Sequence, residues 1–197
     1  MRSKLLLRLV PAAVLAVVIA APAVAQASEP HWYIGTTRIP EGKHVVTKTG
    51  GTLVFDETFH GTTVTCSVAD AEVIENPVGG GAGVDLMKAF KVTKCTPPPC
   101  PVTSTGVARA LVVTALGLPW ASKLVGTSPI ADEITGIELK VKCKGLAAYQ
   151  TYTGTLSPWV GAGFLEFNSP TTGMLGTLGI NGIDNFLAPA GVNAHNP

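Results

Sequence analysis

Ile137-Glu138-Leu139-Lys140-Val141-Lys142 carries an apolar side chain at every second position and a charged one between. Successive side chains of a strand point to opposite faces, so this stretch reads as a β-strand with one buried face and one wet face. It belongs to a longer run, Ile134 to Cys143, and Lys140, Lys142 and Lys144 read as its solvated side.

Outward from this strand the same grammar recurs, while the spacing of an amphipathic helix is hard to find. Val107 to Leu116 is β-branched and apolar, a buried strand, and Gly117-Leu118-Pro119 turns the chain so that Trp120 to Val125 returns beside it. Thr62 to Glu75 alternates and is broken by Asn76-Pro77 and Gly79-Gly80-Gly81, after which Val84 to Cys95 resumes; Asp85 to Phe90 also admits one helical turn. Lys43 to Thr49 and Thr52 to Glu57 flank Gly50-Gly51 as a hairpin, and His31 to Ile39 turns at Gly35. Ala148 to Leu156, Gly163 to Asn168 and Met174 to Ile180 are further strands, and the tail after Pro189 reads as frayed. Short strands separated by Gly, Pro and Asn define an all-β class, an antiparallel β-sandwich or barrel of about ten strands.

The first residues have a different character. Arg2, Lys4 and Arg8 precede an uncharged run from Leu9 to Ala25 that ends in Ala23-Val24-Ala25. Basic, apolar and small-residue segments in that order form a secretory signal peptide, residues 1–25, cleaved after Ala25 or after Ala27. A spanning helix asks for about 20 apolar residues, and this run is slightly short. Residues 26–197 are then one secreted, extracellular domain with no membrane span. Cleavage removes three positive charges from the formal +1 of the whole chain, leaving a slightly acidic protein. Nucleic-acid binding calls for clustered positive charge, so a nucleic-acid partner is not expected.

The four cysteines, Cys66, Cys95, Cys100 and Cys143, all follow the signal. An even count in an exported chain implies disulfides, and zinc spacing is lacking because only Cys95 and Cys100 are close. If the strand holding Cys66 folds back at Pro77 to Gly83, residues whose numbers sum to about 160 face one another, which pairs Cys66 with Cys95 and leaves Cys100 for Cys143. The rival pairs Cys95 with Cys100 and Cys66 with Cys143; against it, the extended run Pro97-Pro98-Pro99 holds Cys95 and Cys100 apart unless a cis proline bends it back.

Gly80-Gly81-Ala82-Gly83-Val84-Asp85-Leu86-Met87-Lys88 matches one copy of a calcium-binding β-roll repeat, but such a site needs stacked copies. One copy reads as a glycine turn. No nucleophile elbow, phosphate loop or metal-spaced histidine set occurs, so no catalytic residue, metal ligand or cofactor is assigned. His60 beside Asp56 and Glu57 reads as a surface histidine. Trp32 and Tyr33, in a polar setting near the new N-terminus, are the candidate binding aromatics.

His31-Trp32-Tyr33, Thr63-Val64-Thr65-Cys66, the turn from Glu75-Asn76-Pro77 to Gly83, Lys94-Cys95 with Cys100, Leu118-Pro119-Trp120 and the strand ending at Cys143 occur in that order. This order resembles that of uncharacterised secreted, β-rich, four-cysteine proteins of soil actinobacteria. The resemblance spans His31 to Cys143 and implies an exported β-domain, with no activity and no catalytic residue. The expected role is a non-enzymatic extracellular or envelope-associated binding or structural module. The rival is a secreted hydrolase acting on polysaccharide, with acids drawn from Asp56, Glu57, Asp132 or Glu166.

The secreted protein should begin at Gln26 or Ser28. Intact mass of protein collected from culture medium reads this directly, and a species there that retains Met1 to Ala25 would refute cleavage.

Overall fold

Alternating runs become strands throughout the computed structural model, which describes residues 28–57, 62–96, 100–168 and 178–197. The expected signal peptide, His60, Pro97 to Pro99 and Met174 to Thr177 lie outside the described residues. A small sheet joins β1 (His31–Ile34) to β2 (Thr37–Arg38) on one side and to β13 (Val192–His195) on the other. The large sheet contains β3 (Val45–Glu57), β4 (Thr62–Glu75), β5 (Val84–Thr96), β6 (Leu111–Leu116) and β7 (Trp120–Val125). It continues with β8 (Ala131–Cys143), β9 (Tyr149–Leu156), β10 (Trp159–Gly161), β11 (Phe164–Phe167) and β12 (Gly179–Ala188).

All strand neighbours are antiparallel, and the large sheet closes on itself. The path β3, β4, β5, β7, β8, β10, β11, β12 returns to β3. The seam is the narrow β8–β10 contact, where Trp159 pairs with Ala131. Val160 N–H donates to Ile130 O at 2.9 Å, and Asp132 N–H donates to Pro158 O at 2.9 Å. Closure removes the open edges that a flat sheet would expose.

Two strands are too long for one wall, and bulges let them serve two. In β8 the register slips between Ile134 and Ile137, with Gly136 at φ +71°. Before the slip Asp132 and Ile134 face inward; after it Ile137, Leu139, Val141 and Cys143 do. An extra residue on one strand shifts the alternation and bends it. β7 pairs with the first half of β8 and β6 with the second half. Thus Trp120 to Val125 does not return beside β6, as the sequence suggests; both lie along the same edge of β8, end to end. β5 does likewise through a bulge at Lys88, running beside β7 before it and beside β6 after it. It is strand throughout, without the helical turn.

Gly50-Gly51 is also not a turn. β3 runs straight through it and pairs along its whole length with β4. The reason is steric: a Cβ on Gly51 would lie 2.1 Å from the Ile183 carbonyl oxygen of β12. These glycines permit close strand approach. The chain after Pro189 is ordered rather than frayed, because Val192 and Ala194 of β13 bury against β1.

The interior holds Trp32, Leu53, Phe55, Ile74, Leu124, Ile134, Leu139, Tyr152 and Leu165, all essentially inaccessible. Each fully buried large apolar side chain contributes about 1.5–3 kcal/mol. Asn76, also fully buried, fastens the β1–β2 hairpin to the end of β4. Its Oδ1 accepts from Trp32 N–H at 2.8 Å, and its Nδ2 donates to Trp32 O at 3.0 Å and Ile39 O at 2.7 Å.

Both disulfides form as the strand geometry requires. Cys66 pairs with Cys95 at a Cα separation of 4.0 Å, and Cys100 with Cys143 at 5.6 Å. The β4–β5 register has Val68 opposite Val92 and Glu75 opposite Val84, close to the expected sum. Loops of 29 and 43 residues stabilise by about 3.5–4 kcal/mol each in the chain-entropy view.

Gly51→Val should force β3 and β12 apart and cost about 3 kcal/mol or more. That corresponds to about 6–12 °C in melting temperature, read by circular dichroism. An unchanged melting temperature would show that the close approach is not structural.

Candidate functional site

Strand phase places acids where apolar side chains are expected. Asp70 and Glu72 continue the inward series Val64, Cys66, Val68 of β4, before Ile74. Asp184 enters from β12, Asp85 from β5 and Asp132 from β8; all five are 5% exposed or less. Among the described residues the ion pairs are Arg38–Glu41 and His44–Glu75, and neither reaches this cluster.

Two hydroxyls organise it. Thr49 of β3 bridges Asp70 Oδ1 and Asp184 Oδ2, the latter at 2.9 Å. A hydroxyl has one proton, so it donates to one carboxylate and accepts from the other, which must be protonated. Ser122 of β7 donates to Asp132 Oδ1 and stands opposite Asp85 in the register. Glu72 has neither carboxyl oxygen hydrogen-bonded. An isolated buried carboxylate is costly, and the usual resolution is to keep the proton.

The electrostatics of the cluster agree. Burial, then the Asp184 charge, pushes Asp70 up to about 8. Burial raises Asp85 to about 6, partly offset by Ser122 and Asp132. Glu72 and Asp132 are raised well above the usual range, first by burial and then by the Asp85 charge. Burial raises Asp184 as well, opposed by its contacts with Asp70 and Thr49.

The second feature is open to solvent. At the β1–β2 end, a pocket of about 610 Å³ is lined by Glu29, His31, Arg38, Glu41, Gly80 and Gly81. Arg38 Nη2 lies 3.4 Å from Glu41 Oε1, and Glu41 Oε2 accepts Gly79 N–H at 3.1 Å. Gly79, Gly80 and Gly81 all have φ between +84° and +107°, the left-handed region that a tight glycine turn supplies. His31 is 6% exposed, and neither ring nitrogen has a hydrogen-bond partner. Burial and the Arg38 charge lower its pKa, so at neutral pH the ring is uncharged and has one donor and one acceptor nitrogen.

The sequence candidates separate. Trp32 is fully buried, edge-on to Phe186 at 6.3 Å, so its ring face is not presented to a partner. Tyr33 is half-buried and stacks edge-on against His195 at 5.1 Å. Asp85, from the calcium-like repeat, points into the barrel, and the glycines before it form a turn. Of the hydrolase acids, Asp132 lies inside. Asp56 is exposed and accepts from Thr63 Oγ1 at 2.6 Å, and Glu57 ends β3. Glu166 takes the outward phase of β11 between buried Leu165 and Phe167. Asp132, Asp56 and Glu166 thus belong to different surfaces. Asp70, Glu72 and Asp184 were not singled out, although Asp70 and Glu72 share the phase of the apolar residues around them.

No protein-family model matches the chain, and no curated protein or solved structure does so either.

Carboxyls raised in the folded state hold protons that the unfolded chain releases near pH 4. Stability is therefore full below that value and declines as pH rises, through about 6 for Asp85 and about 8 for Asp70. The melting temperature should be higher at pH 5 than at pH 8. Asp70→Asn, which needs no proton, should flatten the upper part of that dependence. A melting temperature that rises from pH 5 to pH 8 would contradict neutral buried acids.

Proposed function

We propose that the protein is an exported, non-enzymatic binding module of the cell envelope or extracellular space, with the end pocket as its ligand site. Two disulfides suit an oxidising compartment, and the N-terminal leader supplies the route. The carrying observation is the pocket itself: Glu29, Arg38, Glu41 and a nearly buried, unpartnered His31 converge on one concavity. Concave sites with a few convergent polar groups are where small ligands bind.

The lining also indicates the ligand's chemistry. Carboxylates accept, the guanidinium donates, and a neutral imidazole can do both. Gly80 and Gly81 let a ligand approach the backbone. A hydroxyl-rich ligand, such as a segment of envelope polysaccharide, satisfies such mixed groups because each hydroxyl donates and accepts. The acids and hydroxyls of the barrel interior are buried away from this opening, which favours binding over hydrolysis.

Purified secreted protein should be retained by insoluble cell-wall polysaccharide without releasing reducing sugar. Arg38→Ala should reduce retention about tenfold, the scale of one hydrogen bond to a charged group. Equal retention of Arg38→Ala would move the site away from the pocket, and steady release of reducing sugar would favour a hydrolase.

A further inference from the structure

A second surface, on the outer wall of the barrel, combines apolar and cationic groups in register. Val46 of β3 pairs with Val73 of β4, Val73 with Leu86 of β5, and Leu86 with Ala121 of β7. These four positions share the outward phase and form one apolar row across four strands. Val46 is 63% exposed and Leu86 38%. Val73, Leu86 and Ala121, with Val84, line a groove of about 480 Å³ that also reaches His44, Glu75, Asp85, Lys88 and Ser122.

Cations frame the row on both sides. On one side Lys48 pairs with Ala71 and Ala71 with Ala89, and the bulged Lys88 is exposed beside them. On the other side Val84 pairs with exposed Lys123. Of the acids here, Glu75 is engaged by His44 at 2.8 Å, Asp85 is buried, and exposed Glu133 of β8 stands opposite Lys123 in the register. Three lysines and one exposed acid therefore surround an apolar strip.

The charge read from composition conceals this. Five of the thirteen acids lie inside the barrel, leaving eight acids against the eleven lysines and arginines that follow the leader. The exterior is thus basic even though residues 26–197 are formally acidic.

We infer that the outer face of β3, β4, β5 and β7 docks on an anionic lipid surface. A lipid plane presents anionic headgroups and acyl chains together, which complements cations on both sides of an apolar strip. This surface is distinct from the end pocket, so the protein could hold a polar ligand while seated on a membrane.

The test is flotation of the secreted protein with vesicles of phosphatidylcholine alone and of phosphatidylcholine mixed with phosphatidylglycerol. Binding should occur only to the mixed vesicles and weaken with added salt. Lys88→Ala and Lys123→Ala should each weaken it about fivefold, and Leu86→Asn should weaken it without altering salt dependence. All three sites are exposed, and circular dichroism verifies that the variants fold. Absence of binding to mixed vesicles, or equal binding to both vesicle types, overturns the inference. So does capture by immobilised poly-glutamate with no vesicle binding, which would assign the face to an acidic protein. A concentration-dependent dimer abolished by Leu86→Asn, again without vesicle binding, would make it a self-interface and also overturn the inference. Cell-wall retention that persists when vesicle binding fails leaves the end-pocket reading standing.

Discussion

The fold depends on two local breaks in alternation. A strand that keeps strict period two has one inward face and can line only one wall. β5 and β8 escape that limit through the bulges at Lys88 and at Thr135-Gly136. Each side of a bulge buries a different phase, so each strand serves the closed wall with β7 and then the region beside β6. The remaining connections follow. β6 and β7 lie end to end on β8, β10 completes the seam, and the two disulfides pin the far ends of β5 and β8.

Inside that wall the protein keeps a polar cluster that an all-apolar core would omit. The Thr49 bridge requires a protonated partner, and the unpartnered Glu72 is held neutral by burial and by the neighbouring Asp85 charge. Protons take the place of countercharges. This separates what composition reports from what solvent meets: acids counted in the sequence do not act as surface charge, and the lysines outside are correspondingly less screened.

Much of this was legible in order and spacing. The alternation at Ile137 to Lys142 is a half-buried strand, the turn at Pro77 to Gly83 sets the β4–β5 register, and that register brings Cys66 to Cys95. What misled was residue type read without its neighbours. Gly50-Gly51 resembles a hairpin turn, yet only the approach of β12 explains it. Gly117-Leu118-Pro119 reads as a reversal, yet the chain continues along β8. The acid cluster comes from four strands, so no local window contains it; its one local trace is the phase of Asp70 and Glu72. The end pocket was half visible, since His31 stands beside the aromatics that drew notice while Arg38 and Glu41 come from the next strand and its exit.

The order of pairing along the chain constrains how the protein is made. β12 closes onto β3 and β13 onto β1, so later strands complete the pairings of earlier ones. Until β12 and β13 leave the ribosome, β1 lacks one neighbour and the ring has a gap. Non-local closures of this kind are slow to form, and an emerging chain cannot lock into its final shape early.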